Sequence, residues 1–470
     1  MKFKVLTFGC QMNVYDTGRI ERFLAAAGHE STPTEETADL LVINTCAIRD
    51  SAESRVYGTL GRLVQFKREQ PGRMVAVTGC MAQKEGMALV RRSGVVDVVA
   101  GTHAIPRIPG LIELAAAGLG PQVDISKTEE GLFDEPEFSQ APSSLQRYPA
   151  FVSVIQGCSK VCSFCVVPYT RGKEVCRPPE DVVRECLNLV RQGYREVTLI
   201  GQNVDSYRYE GVDFADLLQR VSRIGELSRI RFTTSHPEDI TPKLIDTVAE
   251  CPNVCESFHF PLQSGSNRVL DAMKRGYTVE EYFEKLAYIE RTFGPRETTP
   301  FSYGISTDLM VGFGNESEEE FESTLEAVRR ARWDSAFMFK YSPRERTAAC
   351  RWEDAIPEEV KSERLARLIE LQESVSLSLN RLAVGETAEV LVEGLPGYDP
   401  ERPLACIKGR TRTNKVLSLE LPEDPAAMPE MGETARVFVT DCKPVTLRGR
   451  LAGLEAAIEA EPAGSFLSLR

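Results

Sequence analysis

Histidine is scarce in this 470-residue chain, which has four: His29, His103, His236 and His259. None stands at metal-ligand spacing, so a metal centre built on histidine is not indicated. Positive charge is in deficit too, the net being −13. An acidic chain is a poor general binder of nucleic acid, and any polynucleotide contact must come from local basic patches. No window reaches the run of about 18 apolar residues that a membrane span needs, and no solenoid-type repeat recurs. The start, MKFKVLTFGCQMN, lacks a signal-peptide cleavage pattern and reads as a first β-strand, so a cytoplasmic protein is expected.

Hydrophobic residues make up 42%, enough for two or three domains with real cores at this length. The first third alternates KVLTFGC, DLLVINTC, MVAVTGC and VVDVVAGT with helical patterns at Thr17–Ala27, Ser51–Arg68 and about Gln83–Arg92. That alternation predicts an α/β domain with a doubly wound parallel sheet over 1–120. Residues 121–147, acidic and bearing proline and serine, read as a linker. From 148 to 375, six strand–helix units (FVSVIQG, EVTLIGQNV, RIRFTTS, SFHFPLQSGS, YGISTDLMVGF, FMFKYSP) predict a complete or partial TIM-like β/α barrel with its active site at the strand C-termini. An amphipathic helix over 357–382 leads into short alternating strands, a small β-barrel over 379–454.

Thirteen cysteines in a reducing compartment do not make a disulfide framework. Cys158, Cys162 and Cys165, in QGCSKVCSFC, follow a strand directly, and C-x3-C-x2-C brings three thiolates within about 10 Å of one another. Zinc sites of this class carry paired C-x2-C units, and only one is present. A four-iron cluster held by three cysteines leaves one iron open to a small molecule. A structural zinc borrowing a distant ligand and three unrelated core cysteines are the competing readings. A second trio, Cys10, Cys46 and Cys80, ends three separate strands, and ligands in open α/β sheets gather at that edge. Simple packing of a small buried residue is the alternative there. Cys186, Cys251, Cys255, Cys350, Cys406 and Cys442 have no partner at a telling spacing.

CSKVCSFC, with Phe164 before its last cysteine, resembles the radical S-adenosylmethionine enzymes. Together with Gly9-Cys10-Gln11-Met12-Asn13, Asn44-Thr45-Cys46-Ala47-Ile48-Arg49, Gly79-Cys80-Met81-Ala82, LIGQNVDSY and PLQSGS, it makes nearly the whole chain resemble the methylthiotransferase family, in its tRNA-modifying branch. The resemblance implies a central radical-SAM barrel and a C-terminal TRAM domain that binds RNA. It implies two [4Fe-4S] clusters, one on each cysteine trio, with S-adenosylmethionine chelated by the open iron of the barrel cluster. Reductive cleavage there would give a 5′-deoxyadenosyl radical that takes hydrogen from C2 of N6-isopentenyladenosine, just 3′ of the anticodon. A second S-adenosylmethionine would methylate a sulfur carried on the auxiliary cluster. A reducing electron donor of the flavodoxin or ferredoxin type is implied, and the sulfur donor is left open.

By the same resemblance Gly201, Gln202 and Asn203, with Gln263 and Ser264, would contact the cofactor, although a strand-end glycine is as often a turn requirement. Asp308 would bind ribose or cap a turn. Arg171, Lys173 and Arg177 read as phosphate contacts, with solvated surface charge as the alternative. In the C-terminal domain Lys408, Arg410, Arg412 and Lys415, in KGRTRTNK, match a TRAM pattern for RNA. Two departures stand out: Cys176 where the family has serine, and YSPRERTAA, around Arg344, without the usual proline–glycine pair. A sister methylthiotransferase acting on threonylcarbamoyl-adenosine or a ribosomal-protein aspartate remains an alternative, as does a non-catalytic redox sensor. Nothing demands an oligomer, and a monomer is expected.

Overall fold

The computed structural model describes residues 1–46, 50–136, 150–394, 407–420 and 429–452. Sequence readings fall outside them in part: Ala47–Arg49 of the second cysteine motif, the linker from 137 onward, 148–149 of the barrel domain, and 395–406 (with Cys406), 421–428 and 453–454 of the C-terminal domain.

The first domain is a six-stranded parallel sheet in the order Glu30–Ser31, Lys2–Thr7, Leu40–Thr45, Met74–Gly79, Val98–Ala100, Gln122–Asp124. Leu40–Thr45 and Met74–Gly79 are buried at every position, as central strands covered on both faces must be. One core packs on each face, around Leu41, Ile43 and Val77 on one side and Leu40, Val42 and Ile112 on the other. Three expectations are corrected. The first helix runs Gln11–Ala26, starting immediately after Cys10, because Asn13 Oδ1 accepts from the Cys10 backbone N–H at 3.4 Å and closes the first turn. The expected third helix is two, Cys80–Glu85 and Met87–Ser93, broken at Gly86. Gln122–Asp124, inside the stretch read as linker, adds the sixth strand. The acidic segment beyond it is also pinned, since Glu135 takes Arg19 Nε at 2.8 Å and Arg22 Nη2 at 2.8 Å.

Six parallel strands form the second domain: Ala150–Ser153, Glu196–Ile200, Arg229–Phe232, Ser257–His259, Gly304–Val311 and Ser335–Lys340. They pair as two groups of three, joined by a parallel bridge between Ile230 and Val254. Among the described residues the first and sixth strands do not pair, so the barrel is partial. One continuous core lies between strands and helices, with Trp333 Nε1 donating to Tyr282 Oη at 2.8 Å at its centre. Helices Val279–Phe293 and Glu318–Ala331 start at capping boxes, Thr278 with Glu281 and Ser317 with Glu320.

A long helix, Glu358–Leu382, leads to a closed five-stranded barrel in the order Thr387–Gly394, Ile407–Thr411, Val416–Leu419, Thr446–Leu451, Thr434–Lys443. This barrel docks on the amino-terminal end of the large one. Arg229 Nη1 donates to Arg410 O at 2.8 Å, and Arg231 Nη2 donates to Thr411 O at 2.7 Å. No helix among the described residues is long and apolar enough to cross a membrane.

Candidate functional site

The three strand-end cysteines of the first domain stay at one edge. Gly79 precedes Cys80 at φ +93, and a Cβ there would lie 2.3 Å from Thr45 O, so only glycine lets these two strand ends run together. A Cβ on Gly9 would likewise lie 2.7 Å from Cys46 Cβ, which sets the Cys10 turn directly against Cys46. Asn13 and Asn44 lock the strand ends: Asn13 Nδ2 donates to Thr45 O at 2.9 Å, Asn44 Nδ2 to Asn13 O at 2.8 Å, and the Cys10 thiol to Asn13 Oδ1 at 3.4 Å. Burial pushes the Cys10 thiol up, the Arg171 guanidinium pulls against it, and Cys80 adds to the rise.

At the barrel, Gly157 (φ +81) turns the chain into the cysteine loop with its Cα against Lys173 O, where a Cβ would come within 2.0 Å. Its N–H donates to Gln202 Oε1 at 2.5 Å. The Cys158 N–H donates to Gly172 O at 3.2 Å and that of Cys165 to Cys162 O at 3.1 Å. Burial, with Cys162 among the lesser causes, pushes Cys158 up to about 11 and Cys165 up to about 12. Arg275, which the sequence did not mark, donates from Nη1 to Cys162 Sγ at 3.3 Å. Among the described residues no group of three or more His, Cys, Asp or Glu is drawn together closely enough for one ion. A four-iron cube holds its thiolates on separate corners, farther apart than the ligands of a single ion, and needs no such tight group. A bound cation also offsets the cost of ionising such buried thiols.

Around the loop, buried polar atoms without a partner among the described residues collect at the strand C-termini: Gln156 Nε2, Asn203 Oδ1 and His236 Nε2, with the Asp205 carboxyl and the Ser235 hydroxyl buried beside them with at most each other. Native interiors rarely leave such groups unpaired, and a polar cofactor is what they fit. Asp205 and Ser235 were not marked in the sequence, because an aspartate or serine after a strand looks like turn chemistry. Within the sequence-marked set, Asn203 donates from Nδ2 to Asp239 at 2.6 Å, and Gln202 braces the loop. Gly201 is needed for packing, since a Cβ would sit 2.3 Å from Ile155 Cγ2. Gln263 is buried at φ +75. Ser264 is fully buried with its hydroxyl 3.5 Å from Thr324 Oγ1 on a helix, which makes it part of the strand–helix packing. In the lumen, Asp308 lies 3.5 Å from His259 Nε2 and opposite Phe337 in register.

The basic residues are mostly corrected. Arg171 and Arg177 are buried and ion-paired with Asp16 (2.7 Å) and Glu185, respectively, so they are not phosphate contacts on a surface. Arg412 pairs with Glu256 at 2.6 Å, and buried Lys415 with Asp334 at 2.5 Å. These two fasten the small barrel to the large one and do not face solvent as an RNA surface would. Arg410 pairs with Glu393 at 2.9 Å. Lys173 is exposed beside the cysteine loop, and Lys408 is half-buried. Cys176 lies in a short strand paired with Ile155, its sulfur accepting the Arg208 N–H at 3.4 Å.

The two domains dock beside their cysteines. Met12 and Tyr15 pack on Ile200 with Cys10 and Phe151 alongside. Thr102 Oγ1 donates to Thr170 O at 2.7 Å, and His103 Nε2 lies 2.9 Å from Arg171 O. The short helix Val167–Arg171, directly after the barrel cysteines, therefore docks on the cysteine edge of the first sheet.

Residues 2–101 match the model of a family described as Uncharacterized protein family UPF0004, and residues 152–328 match the Radical SAM superfamily. A protein of Moorella thermoacetica named tRNA-2-methylthio-N(6)-dimethylallyladenosine synthase is 40% identical over 96% of this chain and 98% of its own length. One of Burkholderia ambifaria with the same name is 42% identical over 96% and 97%. The chain belongs to the methylthiotransferase family of radical SAM enzymes. A solved structure of the radical S-adenosylmethionine methyltransferase TsrM from Kitasatospora setae, 14% identical, superposes with a TM-score of 0.57 over 74% of this chain and 76% of that one, a likeness of fold alone. As a radical SAM enzyme, this methylthiotransferase uses a [4Fe-4S] cluster and S-adenosylmethionine.

Proposed function

We propose that this methylthiotransferase replaces the hydrogen on C2 of N6-isopentenyladenosine, beside the anticodon of a tRNA, with a methylthio group. The observation that carries the reading is a cysteine trio in each of two domains that dock beside their cysteines through Val167–Arg171. C2 of adenine bears no acidic proton, so no base on the protein could remove it, and a cofactor must supply the hard step. When bound, the barrel cluster with S-adenosylmethionine would supply a radical, and an auxiliary cluster would carry the sulfur.

The chain's own residues do the positioning. Cys158, Cys162 and Cys165 would hold one cluster, with Arg275 donating to Cys162 and Gln202 fixing the loop at Gly157. Cys10, Cys46 and Cys80 would hold the other. Asn203 and His236 offer the cofactor atoms without a partner among the described residues, and Ser235 a hydroxyl shared at most with Asp205. Phe337, 50% exposed, stands beside Asp308 on the neighbouring paired strand with its ring 6.0 Å from that of His259, and it would stack the target base. A flavodoxin- or ferredoxin-type protein would deliver electrons, and the reaction belongs in the reducing cytoplasm where tRNA is found.

The test supplies reconstituted enzyme with labelled S-adenosylmethionine and tRNA carrying isopentenyladenosine. Both 5′-deoxyadenosine and the 2-methylthio nucleoside are expected, and unprenylated tRNA should remain unmodified. Product on threonylcarbamoyl-adenosine instead would assign the sister activity. Absence of 5′-deoxyadenosine would leave a redox sensor.

A further inference from the structure

Arg171 is the side chain that reaches from one cysteine site to the other. It closes the helix that follows the barrel cysteines, yet its guanidinium lies in the first domain, 2% exposed. Nη2 donates to Asp16 Oδ2 at 2.7 Å. Nη1 is buried and, among the described residues, has no hydrogen-bond partner. The guanidinium stays charged, as arginine does in proteins, with the Asp16 carboxylate as its charged partner.

Asp16 neutralises the charge without satisfying the second nitrogen. An arginine fork presents five donors in a fixed plane, and a buried donor left unmade carries a full desolvation cost. Among the described residues none supplies the acceptor that would remove that cost. The place for one lies where the helix Val167–Arg171 packs on Cys80–Glu85 and reaches Asp16 on the helix that starts at Cys10, and an anionic atom is favoured beside a buried guanidinium. Tertiary contacts hold the donor in place: the Arg171 carbonyl faces His103 Nε2 at 2.9 Å, and the neighbouring Thr170 carbonyl accepts from Thr102 at 2.7 Å.

We infer that Arg171 Nη1–H donates a hydrogen bond to the anionic sulfur, sulfide or methanethiolate, bound at the Cys10–Cys46–Cys80 site. Arg171 is then a positioning residue supplied by the barrel domain to the sulfur carrier of the other domain. The inference rests on the auxiliary-cluster reading above. It also explains why an arginine so near the barrel cysteines is turned away from solvent, where a phosphate contact would need it.

The test uses the full-length chain carrying Cys158→Ala, Cys162→Ala and Cys165→Ala, reconstituted with iron and sulfide, with methanethiolate as the probe. Iron is counted first. Methanethiolate affinity is then read from the spectrum of the reduced cluster, and the cluster's reduction potential is measured. Arg171→Lys keeps the charge opposite Asp16 but not the planar fork. Arg171→Gln with Asp16→Asn replaces the ion pair by a neutral one, should the single change fold poorly. Both should keep their iron, bind methanethiolate about 10- to 100-fold more weakly, as loss of a hydrogen bond to a charged group dictates, and shift the potential downward, since hydrogen bonds to sulfur raise it. Retained iron with unchanged affinity and potential in both variants would overturn the role of Arg171. Absence of iron while Arg171 is intact would overturn the auxiliary-cluster reading itself, and this inference with it.

Discussion

The two ends of the large barrel are built on opposite terms. At the amino-terminal end, where the small barrel docks, charges face charged partners: Arg231 with Glu196 at 2.8 Å, Asp334 with Arg296 at 2.8 Å and Lys415 at 2.5 Å, and the half-buried Arg412 with Glu256 at 2.6 Å, although Glu196 Oε2 and Glu393 Oε1 make no hydrogen bond among the described residues. At the carboxyl-terminal end, His236, Asn203 and Gln156 keep buried polar atoms without a partner among the described residues, and Asp205 and Ser235 have at most each other, beside thiols whose ionisation burial opposes. Both ends are rich in polar groups, so composition does not separate them. What separates them is how the charges are used: at the amino-terminal end ion pairs join one barrel to the other and hold the fold, whereas the polar atoms at the carboxyl-terminal end surround the cysteine loop, where groups from outside would bind.

The strongest way to break this comparison is to mutate each end and exchange the readouts. Replacing Cys158, Cys162 and Cys165 by alanine should abolish 5′-deoxyadenosine formation while leaving the urea midpoint of the iron-free protein nearly unchanged. Arg231→Leu, at the other end, leaves Glu196 only Arg229 at 3.8 Å and removes the donors to Thr411 O and Arg412 O. Breaking a buried pair in this way costs about 3–5 kcal/mol, so a large fall in the denaturation midpoint is expected, with iron uptake at the cysteine loop preserved in the folded fraction. A cysteine variant that unfolds, or an Arg231 variant that loses only iron, would contradict the division.

A smaller effect sharpens the contrast through pH. Burial pushes the Asp205 carboxyl up to about 7. The folded state therefore binds a proton that the unfolded chain has already released above about pH 4, and stability falls as pH rises from there towards 7. Burial, then the charges of Arg275, Lys160 and Lys285, push His236 down to about 2. There the unfolded chain takes up a proton below about pH 6.5 that the folded state refuses, so stability falls as pH drops. Each slope is about 1.4 kcal/mol per pH unit at most. In the cofactor-free protein Asp205→Asn should remove the first slope and His236→Asn the second, as read from denaturation midpoints across pH 4–8. Either slope surviving its own substitution would show that the group is partnered after all.

The smallest effect concerns RNA. Lys173→Ala should weaken tRNA binding modestly and reduce the salt slope of the affinity by about one, because Lys173 is exposed beside the cysteine loop. Arg412→Ala should leave that slope unchanged and lower stability instead. The reverse pattern would return the basic stretch of the small barrel to RNA binding.

Much of this was legible in the sequence, for identifiable reasons. Cys10, Cys46 and Cys80 each end an apolar run, and a buried parallel strand announces itself that way. The six barrel strands and the helix Glu358–Leu382 were equally plain. Arg171, Arg412 and Lys415 were misread because their partners lie 155, 156 and 81 residues away. A charge in a sequence does not reveal which distant carboxylate will neutralise it. Arg275 escaped notice for the same reason, standing 113 residues from Cys162. The strand Gln122–Asp124 was missed because three residues beside a proline-bearing acidic stretch carry no period.

The account's central claim is that the cysteine trios of the two docked domains are separate cluster sites. The most direct measurement is iron and acid-labile sulfide per chain after anaerobic reconstitution, for the wild type and for the alanine variants of each trio. The account predicts about eight irons in the wild type and about four in either variant, as two four-iron cubes require. About four in the wild type, or none in either variant, would mean that the two trios build a single site.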